Sequence, residues 1–120
     1  MSNKFWEEIE PLEGQNWLTK KIKGEGYLEF QGHLRFSGEW KGSIFSKDPK
    51  SHLLFLPEST MKGMITVERL TAQGNMEGIE IYAKYLKVEK GAKIKGRVVV
   101  QYLEVQEGAH FDADIEYIGS

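Results

Sequence analysis

His110, Asp112 and Asp114 alternate along one short stretch, the spacing that sets three metal-ligating side chains on one face of a β-strand. Three ligands in one exposed row do not close a coordination sphere, and His33 and His52 lie in other parts of the chain. The row therefore reads as solvated surface. GAKIKG (residues 91–96) carries the outer glycines of a phosphate-binding loop, but Arg97 and Val98 stand where such a loop needs Lys followed by Ser or Thr. It reads as a chain corner. LPEST (56–60) has the letters of a sortase sorting signal, yet it sits mid-chain with no apolar tail behind it. Carboxylates paired for acid–base work need a cleft that shifts their pKa values, and nothing in the charge pattern points to one. No residue is nominated as catalytic or as a cofactor or metal ligand, and the expectation is a protein that is not an enzyme.

Composition narrows the classes further. A chain of 120 residues is one domain with room for a core but little for a deep cleft. The net charge of −2 lacks the basic excess of a nucleic-acid binder, so no nucleic-acid partner is expected. With no cysteine, neither a disulfide framework nor a thiolate metal site can form. No apolar run approaches the roughly 18 residues that span a bilayer, and MSNKFWEEIEPL lacks the layout of a signal peptide. The expected location is the cytoplasm. Thirteen glycines against three prolines imply that glycine turns this chain at recurring places.

Those places recur with a period. LKVEKGAKIKG from Leu86 is answered 17 residues later by LEVQEGAHFDA from Leu103. The match runs backwards through Ile81 with Val98, Ala83 with Val100 and Tyr85 with Tyr102, and forwards to Ile94 with Phe111. Ile65, Val67, Leu70, Ala72, Met76 and Gly78 follow the same grammar, as do Ile44, Leu53, Phe55, Ser59, Met61 and Gly63 around an insertion, SKDPKSH. LRFSGEWKG from Leu34 matches LTAQGNMEG from Leu70 in its apolar and glycine sites. Apolar residues two apart between small-residue corners mean short strands with one face inward. Strands that bury that face only by stacking on the next copy describe a β-solenoid. The predicted fold is all-β, a right-handed parallel β-helix of five to six short coils with three strand faces over residues 24–116. Residues 1–23 and 117–120 are read as tails.

Charge supports the register. At the 17-residue offset Lys87 meets Glu104, Lys90 meets Glu107, Lys95 meets Asp112 and Arg97 meets Asp114. Such exposed pairs are individually weak but oppose a slip, which would also turn the apolar set outward.

FSGEWKGSI (36–44), PESTMKG (57–63), IYAKYLKVEKGAKIKG (81–96) and YLEVQEGAHF (102–111) together resemble the bactofilins, a family of bacterial proteins with a right-handed parallel β-helix core that polymerises without nucleotide. The resemblance covers about residues 26–115. It departs from the family pattern at Ala113, where glycine is common, and at the long SKDPKSH corner. It implies a self-polymerising, nucleotide-independent cytoskeletal scaffold that positions cell-shape or envelope proteins, peptidoglycan-modifying ones among them, at the inner face of the membrane. Two rivals come from other classes. One is a left-handed hexapeptide-repeat enzyme, which the broken six-residue series after Val88, Ile94 and Val100 disfavours; the other is a monomeric solenoid binding module.

Both ends carry expectations. Bactofilins commonly bear a membrane-targeting segment at the front, and Phe5 and Trp6 are the candidates here; the alternative is that Trp17, Leu18 and Ile22 cap the first coil. At the back, DADIEYIGS offers no helix to cover the last coil, so Leu103, Val105, Phe111 and Ile115 are the expected end-to-end polymer contact.

Overall fold

A computed structural model describes residues 21–118, and none of them is helical. Seven strands follow one another: β1 (Lys21–Glu29), β2 (His33–Phe45), β3 (His52–Phe55), β4 (Thr60–Ala72), β5 (Asn75–Val88), β6 (Lys93–Val105) and β7 (His110–Tyr117). Each pairs in parallel with the next, and β2 reaches past the short β3 to pair with β4 as well. The result is a parallel β-solenoid of about six turns. The strands reach slightly beyond the 24–116 span predicted from the repeat, from Lys21 to Tyr117.

Stacking sorts the apolar residues into ladders that run along the axis. Leu34, Leu53, Leu70, Leu86 and Leu103 are successive Cα partners on one side. Leu28, Ile44, Ile65, Ile81, Val98 and Ile115 form a second ladder, and Trp40, Met61, Met76, Ile94 and Phe111 a third. β-branched and leucine side chains repeated at one site fill the space above and below their own kind, and the inner residues of the middle coils are buried. Bulk is traded between neighbours. Phe36 stacks on Phe55 at 5.3 Å, and beyond them the same ladder shrinks to Ala72 and Val88.

One corner is made by glycines in the left-handed region. Gly63 has φ +128° and Gly96 has φ +152°, and a Cβ on either would strike the backbone of the coil beneath, at the Gly42 and Ile79 carbonyls respectively. Gly42, Gly63, Ile79, Gly96 and Ala113 are register partners. Gly78 therefore does not occupy the glycine ladder that the repeat predicts for it. A register shift on each side of β5 places an extra residue there; Gly78, at φ +69°, takes the left-handed turn, and Ile79 enters the ladder with no positive φ. The SKDPKSH insertion is ordered around Asp48. Its carboxylate accepts from the Gly32 N–H at 2.7 Å and the Lys50 N–H at 2.9 Å, which holds that carboxyl below the usual aspartate range.

Candidate polymerisation surface

The solenoid stops unevenly. β7 covers β6 only from Lys93 to Val100, so among the described residues the segment Tyr102–Val105 has no strand on its outer side. The last turn is thus built on two of its three sides, and a strand edge is left next to the end of the core.

The inner ladders arrive at this end uncovered. Leu103 and Phe111 pack against the core yet stay partly exposed, while Val105 is 41% and Ile115 42% exposed. Tyr117 lies at the end of the Val67, Ala83, Val100 ladder and is 61% exposed, with Ile118 beside it in sequence at 45%. Sequence reasoning assigns Tyr117 to a tail. The signal for including it is the 17-residue interval carried one step past Val100. Tyr102 extends the surface sideways: its ring stacks on Tyr85 at 5.0 Å and 13°, and Arg69 lies over the other side of that pair, 5.2 Å from the Tyr85 centroid.

The charges do not pair as the 17-residue offset predicts. The register does set Lys87 opposite Glu104, Lys95 opposite Asp112 and Arg97 opposite Asp114. Lys87 instead approaches Glu89 at 3.8 Å, while Arg97 binds its register partner one coil back, Glu80, at 3.1 Å and passes Asp114 to reach Glu116 at 2.8 Å. Among the described residues the fourth ion pair is Lys84 with Glu68 at 3.9 Å, and Lys90 makes none with Glu107. Long side chains span two residues along a strand as easily as one rung across, so Cα register selects a neighbourhood and not a partner.

The remaining chemical candidates are dispersed. His110, Asp112 and Asp114 are all exposed, and among the described residues no three His, Asp or Glu side chains converge on a metal-sized site. His33 and His52 meet edge to face at 5.8 Å, and His52 Nε2 lies 2.8 Å from Thr71 Oγ1. Burial, with His33 and Arg69 adding, pulls the His52 pKa below the ordinary histidine value. GAKIKG forms the β5–β6 corner and the first residues of β6, with the Ala92 N–H donating to the Glu89 carbonyl at 3.0 Å. No described helix is long and apolar enough to cross a membrane. Phe5, Trp6, Trp17 and Leu18 lie outside the described residues.

Among the described residues the core is covered along the middle coils and only partly covered at the β7 end. Residues 16–116, most of the chain, match the family described as bactofilin, polymer-forming cytoskeletal. The chain belongs to the bactofilin family. No curated protein and no solved structure matches it.

Proposed function

We propose that this bactofilin is a nucleotide-independent scaffold that assembles end to end through its C-terminal coil and, once polymerised, positions cell-shape or envelope proteins at the inner face of the membrane. The observation that carries the end-to-end contact is the uncovered run of Leu103, Val105, Phe111, Ile115 and Tyr117 beside an unpaired strand edge. Covering such a surface with a second copy removes apolar area from water at about 25 cal/mol per Å² and satisfies open backbone groups. The placement at the membrane rests on the apolar pair Phe5 and Trp6 and on the front membrane-targeting segment that the resemblance implies.

The test of the contact is negative-stain microscopy and sedimentation of the purified chain without nucleotide, beside Phe111→Arg. The variant is expected to keep its β-sheet circular dichroism and to sediment as a monomer or short oligomer, because an unpaired charge at the joint is left without water or partner. Wild-type-like filaments from the variant place the joint elsewhere. The test of the location is liposome co-sedimentation of wild type beside a Phe5→Ala, Trp6→Ala variant, corrected for polymer that pellets alone. Equal pelleting removes the membrane reading.

A further inference from the structure

We propose that Arg97 is a positioning residue for assembly, fastening the terminal coil to the two coils before it and so holding the joint surface in place. The proposal rests on the reading of the C-terminal coil as the polymer contact. Arg97 Nη1, on β6, donates to Glu80 Oε2 at 3.1 Å and to the Tyr82 hydroxyl at 3.2 Å, both on β5. Its Nη2 donates to Glu116 Oε1 at 2.8 Å on β7. The Tyr82 hydroxyl donates to the same Glu80 oxygen at 3.1 Å, so the acceptor on the inner side is itself held in place. One planar guanidinium thus bridges three successive coils, and its fork can serve both sides at once where a lysine ammonium cannot.

β7 is the strand that needs such a tie. Every one of its residues is at least partly exposed, and it pairs with β6 alone. Its inner side chains are covered from one side only, so apolar packing holds it less firmly than it holds the middle strands. Removing the guanidinium also reverses the local electrostatics. Glu80 and Asp114 lie one rung to either side of Arg97 and Glu116 stands next along β7, so without Arg97 the carboxylates of β5 and β7 face each other two rungs apart with no guanidinium between them. The terminal coil would then lose the charge that draws it in. Phe111, Ile115 and Tyr117 would no longer be presented as one surface.

The experiment uses the full chain, as wild type, Arg97→Ala, Arg97→Lys and Glu116→Gln, the last cutting only the link to β7. Hydrogen exchange is read below the assembly threshold, and the critical concentration is read by sedimentation. In Arg97→Ala, exchange of amides 110–117 is expected to speed up about tenfold while those of β4 and β5 stay unchanged. The critical concentration rises about fivefold, with Arg97→Lys and Glu116→Gln between it and wild type. Unchanged exchange in β7 overturns the fastening role and leaves the joint reading standing. Faster exchange in β7 with an unchanged critical concentration leaves the fastening in place but overturns its role in assembly, and with it the joint reading. Equal acceleration in β4 and β5 makes Arg97 a general stabiliser and also overturns the proposal.

Discussion

The first and last coils carry the same ladders and end in opposite conditions. Leu28 opens the ladder that Ile115 closes, and the former is fully buried while the latter is 42% exposed. The aromatic residue two positions further on repeats the contrast, with Phe30 at 1% and Tyr117 at 61%. Hydrophobicity is not what differs, since the residues are of one kind at both ends. Coverage differs. β1 and β7 each pair with one strand only, so it is the coil whose inner side chains stay exposed that is the less firmly held and the more available for contact. Substitutions along one ladder should therefore change character from folding to assembly as they approach Tyr117.

The largest effect is expected in the middle, at the glycine corner. Gly63→Ala forces a Cβ into the Gly42 carbonyl at a left-handed φ, so the strand must leave its register. The cost should be about 3 kcal/mol or more, read as a lowered denaturation midpoint. The counterpart in the last coil is Ala113, which already carries a Cβ at the same ladder position. Ala113→Gly should lower the stability by about 1 kcal/mol or less, through backbone entropy and the loss of one partly buried methyl. Equal losses at the two sites would show that the left-handed φ and close backbone approach at Gly63 carry no special cost.

Next come two leucines on one ladder. Leu70 is buried between coils, and Leu70→Ala should cost about 3 kcal/mol through lost burial and the cavity left behind. Leu103 packs from one side only, so Leu103→Ala should cost the monomer about 1 kcal/mol while raising the critical concentration for assembly. Chemical denaturation below the assembly threshold and sedimentation above it separate the two quantities. A Leu103→Ala variant that loses as much monomer stability as Leu70→Ala, with assembly unchanged, would place Leu103 in the core.

How much of this is legible in the chain depends on what a repeat can carry. The leucine ladder from Leu34 to Leu103 and the isoleucine ladder from Ile44 to Ile81 can be read directly, because stacking demands the same residue class at the same interval. The bulge in β5 cannot. MKG (61–63) and MEG (76–78) look alike as letters, yet Gly63 fills the ladder and Gly78 turns outside it, a difference of backbone angle that glycine permits at either place. The interval likewise leads to Arg97 as a charged site and to Asp114 as its neighbour. It leads equally to Glu80 one coil back, but it does not show that the guanidinium passes Asp114 to reach Glu116, because side-chain reach exceeds strand spacing. Tyr117 escapes notice because its ladder holds small residues, Ala83 and Val100, until the aromatic ring at the end.

The smallest expected effect lies away from the joint, at His52, and it separates acid sensitivity of the early coils from assembly at the last one. His52 on β3 is flanked by His33 on β2 and Arg69 on β4, and its Nε2 meets the Thr71 hydroxyl. Burial and these two neighbours hold its folded pKa below 6.5. The unfolded chain therefore binds the proton more readily. Stability is fully present above about pH 6.5 and declines as the pH falls from there through the folded pKa, because protonation in the unfolded state pulls the equilibrium away from the fold. His52→Gln keeps a polar group able to meet Thr71 and cannot titrate. Thermal melting at about pH 7.5 and about pH 5.5 should show a larger drop for wild type than for the variant, with faster amide exchange in β3 at the lower pH in wild type alone. Asp48 would add its own loss only further down, as the pH falls below 3.8, when its two backbone hydrogen bonds lose their charged acceptor. An identical pH dependence in wild type and His52→Gln would show that the histidine's burial has no bearing on folding, and the acid response would then have to come from another group.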